Sequence, residues 1–174
     1  MSFERTSAEL VKNTSTVSPT TLPTVKDALD SLGASIAALG IASGSFTPTM
    51  AFATPGTSSF SYATQTGRYL KVGTWYIVEA ILTVTPTIGT GSGAVRLGGL
   101  PASSGFNMAG WVSETPDALT LSAGYTWVGA RFDAGNPWMF LEQNGSAVAG
   151  GTISAASLTT GVAQTYRYGG AFTT

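Results

Sequence analysis

Two pairs of carboxylates lie close enough along the chain to act together: Glu114 with Asp117, and Asp133 with Glu142. Paired carboxyl groups cleave glycosides when they stand ~5 Å apart or ~6.5–9.5 Å apart. Asp133 and Glu142 fall on adjacent strands of an expected hairpin, where Arg131 can pair with either, so a surface ion cluster accounts for them without catalysis. A second candidate is the run Gly89-Thr90-Gly91-Ser92-Gly93-Ala94. Glycine-rich loops cradle phosphate where a helix N-terminus follows. Here Ala94-Val95-Arg96-Leu97 follows with strand alternation, and no Gly-Lys-Ser/Thr is present, so the run is expected to be a flexible hairpin loop. The third candidate is aromatic. Sugars stack their apolar ring faces on aromatic side chains while amides and carboxylates read the hydroxyls. Trp111, Trp127, Asp133, Asn136, Trp138 and Asn144 are of these types, Phe140 lies among them, and several share one hairpin. The competing reading for each tryptophan is a place in the core or in a subunit interface. The turn Gly135-Asn136-Pro137 is the candidate for a distal tip.

Much chemistry is excluded by composition. The 174 residues include no histidine and no cysteine. Thiol nucleophiles, disulfides, His-based triads and His/Cys zinc sites are therefore absent, and neither a metal, a cofactor nor an enzymatic activity is expected. Eight Lys+Arg against nine Asp+Glu give a net charge of −1, which provides no basic footprint for nucleic acid. No apolar run approaches the ~18 residues of a membrane span, and the N-terminus carries charges where a secretory signal would be apolar, so neither membrane insertion nor secretion is expected. The sequons at Asn13 and Asn144 accordingly carry no meaning. Charged residues make up only 10% of the chain, far below an average domain, yet four Trp, six Tyr and eight Phe supply ample core material.

The elements that would position these residues divide the chain into three. Residues 1–23 form a polar, Ser/Thr-rich arm. Residues 24–40 have the signature of a helix. Thr24 and Asp27 make a capping-box pattern, Pro23 bars backward extension, and Gly40 supplies the stop. Val25, Leu29, Leu32, Ile36 and Leu39 recur at spacings of 4, 3, 4 and 3, an a/d stripe. A helix about 24 Å long is marginal alone in water, and Gly33 weakens it by about 1 kcal/mol. The stripe must therefore be buried, either on the chain's own strands or on copies of itself.

Residues 44–174 show strand periodicity throughout. In Tyr76–Val84, Tyr76, Val78, Ala80, Leu82 and Val84 form one apolar face, expected to be core. The opposite face, with Trp75, Ile77 and Ile81 beside Glu79, is too apolar for water and is expected to meet a second sheet or another subunit. Further strands are expected at 46–52, 59–64, 67–72, 94–97, 106–112, 127–133, 138–143, 152–157 and 162–172. Asn144-Gly145 signals a two-residue hairpin into Ser146–Ala149. Short strands at this density predict an antiparallel β-sandwich or jelly roll, with no substantial helix after Gly40.

Several segments resemble the C-terminal domains of phage tail and head fibres. They are Gly44-Ser45-Phe46-Thr47-Pro48-Thr49-Met50-Ala51-Phe52, then Phe60 and Tyr62, then Gln65-Thr66-Gly67-Arg68-Tyr69-Leu70-Lys71-Val72-Gly73, and finally Leu97-Gly98-Gly99-Leu100-Pro101. The stretch from Val17 to Leu32 is similar to the short helical segment that often precedes such domains. The resemblance covers residues 17–32 and 44–101. It implies a homotrimeric fibre or spike of a phage or phage-like particle, made in the bacterial cytoplasm. Residues 1–23 would dock on another virion protein (capsid, portal, collar or tail), with Phe3, Leu10 and Val11 as apolar anchors. Residues 24–40 would form a coiled-coil stalk. Residues 44–174 would form the jelly-roll-like head that contacts host surface glycan. The trimer contacts would be Val25, Leu29, Leu32, Ile36 and Leu39 in the stalk and Trp75, Ile77 and Ile81 in the head. The alternatives carried beside this are a non-adhesive decoration or connector protein of the same fold, and a glycan-cleaving spike.

Overall fold

The computed structural model of the protein describes residues 24–114 and 118–174. The anchor candidates Phe3, Leu10 and Val11, and Asp117 of the first carboxylate pair, lie outside the described residues. The chain forms two compact units, divided between Ala38 and Leu39.

In the first unit, helix α1 spans Val25–Ala38. Its cap is the reciprocal pair expected from the sequence: the Thr24 N–H donates to Asp27 Oδ2 at 2.8 Å, and the Asp27 N–H donates to Thr24 Oγ1 at 3.1 Å. The Thr24 hydroxyl, which donates to the same Oδ2 at 2.7 Å, and after it the Thr24 N–H hold the Asp27 carboxyl below its ordinary pKa. The cap is thus complete at neutral pH and is lost as pH falls through that lowered value. Lys26 pairs with Asp30 one turn on, and Gly40 leaves the helix at φ 59°. No residue of α1 is buried, and Leu29 and Ile36 are 62% and 53% exposed.

The second unit is built on ten strands: β1 (Ala42–Phe46), β2 (Thr49–Thr54), β3 (Ser59–Val72), β4 (Trp75–Thr87), β5 (Ser92–Gly98), β6 (Met108–Glu114), β7 (Trp127–Phe132), β8 (Met139–Asn144), β9 (Gly151–Thr152) and β10 (Gln164–Thr173). All pair antiparallel in one sheet, in the order β1-β3-β4-β10-β6-β7-β8-β5-β2, with β9 beside β8. The antiparallel, strand-rich character agrees with expectation. The partition into two separate jelly-roll sheets does not appear: hydrogen bonding runs unbroken from one edge to the other.

The two edges of this sheet are consecutive in sequence. Only Thr47 and Pro48 separate β1 from β2, so one stretch of chain serves both ends and the sheet must curl. Proline suits the corner because it has no N–H to waste where the chain changes partners. The corner is held from three sides. Gly44 stands opposite Tyr69 and Phe46 opposite Gly67, and each glycine is covered by the ring across from it. A Cβ on Gly67 would lie 2.6 Å from the Phe46 ring, and one on Gly44 2.7 Å from the Tyr69 hydroxyl. Gln65 Nε2 donates to the Pro48 carbonyl at 2.8 Å. The Tyr62 hydroxyl accepts from the Met50 N–H at 3.1 Å and donates to its carbonyl at 3.2 Å. Gly99, at φ 80°, closes the third side, since any Cβ there would collide with the Thr47 carbonyl.

The curled sheet encloses one core. Val78, Ala80, Leu82 and Val84 of β4 point into it, as the periodicity predicts, and Leu82 and Val84 are fully buried. Met50, Phe52, Val95, Leu97, Phe132, Met139, Leu141, Ile153, Tyr166, Tyr168 and Phe172 are among the residues that join them. Phe172 stacks on Tyr76 at 5.3 Å and meets Phe132 at 4.7 Å.

Other expectations change in detail. Strands foreseen at 59–64 and 67–72 are one strand, β3, with a bulge between Tyr62 and Thr64 absorbing the break in alternation. Asn144-Gly145 is not a two-residue hairpin: neither residue has the positive φ such a turn requires. The chain makes a longer excursion, in which the Tyr125 hydroxyl donates to the Ala149 carbonyl, before β9 returns to pair with β8. Strand β5 begins within the run Gly89–Gly93, at Ser92, so no helix N-terminus follows these glycines. The run is not a hairpin either, because β4 and β5 are not neighbours. Thr57 and Thr90 instead exchange backbone-to-hydroxyl bonds at 3.1 Å each, buckling this loop to the β2–β3 loop.

The reciprocal glycine–aromatic pairs generate a sharp test. Gly67→Ala should lift Phe46 and loosen β1, so that amide hydrogen exchange at Ala42–Phe46 rises at least tenfold while Val78–Val84 keeps its protection. Unchanged exchange in β1 would show that the ring contact does not hold the edge.

Candidate functional site

The residues singled out as sugar ligands all lie on the outer face of the sheet, on β6, the β7–β8 hairpin and its turn. Along β7, Val128, Ala130 and Phe132 face the core, which sends Trp127, Gly129, Arg131 and Asp133 outward. Along β8, Met139, Leu141 and Gln143 are buried, which sends Trp138, Phe140, Glu142 and Asn144 outward. The structure sorts the candidates into two groups, about 20 Å apart along β7 at the usual strand rise.

At the turn end stand Asp133, Asn136 and Trp138. Asp133 Oδ2 accepts from Asn136 Nδ2 at 2.8 Å and from Trp138 Nε1 at 3.1 Å. The Asp133 N–H donates to the Trp138 carbonyl at 3.2 Å, and Gly135 turns the chain at φ 78°. The loop before β6 backs this turn, with the Gly135 N–H donating to the Ser104 carbonyl at 2.6 Å and the Ala134 N–H to Asn107 Oδ1 at 2.9 Å. These polar groups are spent on each other. Asp133 and Asn136 therefore shape the turn and fix the Trp138 ring, which leaves ring faces, not hydrogen-bonding tips, as what Trp138 can offer a ligand.

Arg131 joins the turn to the middle of the hairpin. Its Nε donates to Glu142 Oε1 at 2.7 Å, and its Nη1 lies 3.9 Å from Asp133 Oδ1. The carboxylates Asp133 and Glu142 thus share one guanidinium between them. That guanidinium also lies 5.3 Å from the Phe140 ring centroid.

At the other end, Trp127 pairs with Asn144, and Trp111 lies one residue beyond the last β6–β7 pair, Gly110↔Ala130. Both tryptophans lie against glycine backbone. A Cβ on Gly129 would come 3.0 Å from Trp127 Cζ3, and one on Gly169 2.7 Å from Trp111 Cζ2. The rings remain 57% and 43% exposed. A ring supported on one side by bare backbone and open on the other is a platform for a flat apolar ligand face.

Two outer-face residues were missed from sequence. Phe106 is 66% exposed on the loop that backs the turn. Arg96 of β5 lies beneath Trp138, its guanidinium 4.7 Å from that ring centroid and 5.6 Å from that of Phe140. A signal existed for Arg96, a lone cation between the core residues Val95 and Leu97, but only the cross-strand register brings it to the aromatic group.

The trimer candidates fall elsewhere. Trp75 and Ile77 of β4 are 49% and 53% exposed, and Ile81 is half-buried. Val72 stands opposite Trp75 and Leu70 opposite Ile77, which extends this apolar surface onto β3. An Arg68–Glu79 pair at 3.6 Å borders it, beside a depression of about 190 Å³ that Thr66 and Ile81 also line.

No family model matches the sequence, and no curated protein matches it. A solved structure does. The chain shares its fold with part of a tailspike. The crystal structure of the Dettilon tailspike protein (gp208) aligns over 76% of this chain with a TM-score of 0.59 and 20% identity. The chain spans only 24% of that protein's length. This likeness overturns the expectation that the chain is not an enzyme. Carboxylate chemistry needs neither of the residue types that this sequence lacks, so their absence does not exclude an enzyme. Among the described residues no group of three or more acidic side chains is placed to hold a metal ion, and no helix is long and apolar enough to cross a membrane.

The turn cluster predicts its own energetics. Asp133→Ala strands two donors and should lower unfolding stability by about 2 kcal/mol in urea titration. Asp133→Asn, which keeps one acceptor, should lower it less. Equal stability of Asp133→Ala and the native chain would contradict the cluster.

Proposed function

We propose that this chain is a fibre or spike component of a phage or phage-like particle and that its β unit attaches to host surface glycan. The observation that carries this reading is the pair of supported, open tryptophan rings, Trp111 over Gly169 and Trp127 over Gly129. Core tryptophans would be covered on both faces. A sugar ring laid on such a platform buries its apolar face without displacing any side chain, so the ordering cost of binding is small. The likeness to a tailspike fold supports the same reading, as does the low charge of the chain, which leaves recognition to stacking and hydrogen bonds.

Self-association belongs to this proposal. Three copies would bury the α1 stripe of Val25, Leu29, Leu32 and Ile36, continued by Leu39, and would cover the Trp75, Ile77 and Ile81 face with its β3 extension. Three sites on one particle arm raise avidity through effective concentration, so weak single sites suffice. Residues 1–23 would hold the particle in this arrangement.

Trp127→Ala in the intact chain should reduce retention on an array of bacterial surface polysaccharides at least tenfold with the melting temperature unchanged. Trp75→Ala should leave the glycan preference as it is. Undiminished retention by Trp127→Ala and by Trp111→Ala would overturn the platform reading.

A further inference from the structure

On β5, between the turn and the sheet edge, stands Arg96, a cation that no acidic side chain of the described residues pairs with. Arg96 lies on β5, flanked across the strands by Ala51 of β2 and Phe140 of β8. Its guanidinium rests against the rings of Trp138 and Phe140. Its Nε is buried and has no hydrogen-bond partner. The contrast with its neighbour is direct. Arg131 stands opposite Phe140 on β7, as Arg96 does on β5, and it holds two carboxylates, Glu142 and Asp133. Among the described residues no acidic side chain forms an ion pair with Arg96.

We propose that Arg96 is the centre of a subsite for the carboxylate of an acidic sugar, a uronic acid residue within the glycan; this rests on the glycan-binding reading above. The terminal Nη donors of Arg96 form no hydrogen bond with any described residue and are not buried, so they are the groups that an incoming carboxylate would meet, while the buried Nε stays against the rings. The stacked rings orient the guanidinium while leaving its terminal Nη donors available, since stacking uses the π faces and not the N–H groups. Asp133 is a positioning residue here, because its bond to Trp138 Nε1 fixes the ring against which Arg96 lies. Space for a ligand comes from small outward neighbours: Ala51 across the strand, and Ala94 and Gly98 two residues to either side. A planar carboxylate fits this setting better than a phosphate. The subsite offers one fork and one unneutralised positive charge, which matches a monoanion, while a phosphate dianion would remain half unpaired among aromatic rings.

The test uses the four tryptophan indole N–H signals of the intact chain in nitrogen–proton correlation spectra, assigned by single Trp→Phe variants. Sodium glucuronate, glucose and inorganic phosphate are the probes. Glucuronate should shift the Trp138 signal saturably, and glucose should not. Arg96→Gln should weaken that response at least tenfold, and Arg96→Lys, which keeps the charge and the fold but loses the planar fork, should weaken it by a smaller factor. A Trp138 signal that ignores glucuronate, responds equally to glucose or phosphate, or responds unchanged in Arg96→Gln overturns the subsite. Movement of the Trp111 and Trp127 signals reports separately on the platform: if both sugars move them while Trp138 stays still, the subsite falls and the glycan-binding reading stands. If neither sugar moves them, that reading falls, whatever Trp138 does.

Discussion

The structure depends on one corner. A sheet whose edge strands are joined by two residues has to curl until its ends meet a single segment of chain, and the segment Phe46–Thr49 is where that happens. The contacts there exclude substitution. Gly44 and Gly67 each accept the aromatic ring of the opposite strand, Gly99 lies against the Thr47 carbonyl, and Gln65 and Tyr62 tie the backbone around Pro48. Closing the corner seals Phe52, Leu82, Tyr166 and the other core residues inside one sheet. It also determines what is left outside, which is where the interaction chemistry lies.

What is left outside is unusually apolar. Leu29 and Ile36 stand exposed on α1, and on the β unit Val72, Trp75, Ile77 and Leu70 form an apolar patch of their own, in a chain with only 10% charged residues. Scattered exposed apolar residues are ordinary, whereas contiguous patches mark places that meet something. The two kinds of outer surface differ chemically. The β3–β4 face is aliphatic apart from Trp75 and carries a peripheral ion pair. The β6–β7–β8 face combines aromatic rings with guanidinium and carboxylate groups. The proposed self-association would cover the first, and the proposed glycan would lie on the second.

The sequence made the local structure legible. Helix α1 could be read to within two residues because its cap, stripe and stop are all short-range signals. The inward face of β4 could be read because strict alternation persists over nine residues. The fibre-like residues Gly44, Phe46, Pro48, Gln65, Gly67, Tyr69 and Gly99 could be recognised as a pattern, but not explained. Their meaning is long-range: they are far apart in the chain and converge on one corner. For the same reason the single continuous sheet was not foreseen, since nothing local says that β10 inserts between β4 and β6. The candidate site was legible by residue type only. Register, which sequence does not supply, separates Trp127 from Trp138 and brings Arg96 beneath Trp138, while Asp133 is engaged by Asn136 and Trp138 of its own turn. The expectation of no enzymatic activity set Asp133 and Glu142 aside as a surface ion cluster, and the likeness to part of a tailspike overturns it.

The central claim is that the apolar surfaces left outside the core are covered by copies of the same chain. Sedimentation velocity on the intact chain tests it most directly, with a Leu29→Asp, Ile36→Asp variant run alongside. The account predicts a three-chain species at micromolar concentration, reduced to a smaller one by the double substitution. A single chain at every concentration, in native and variant protein alike, would contradict it.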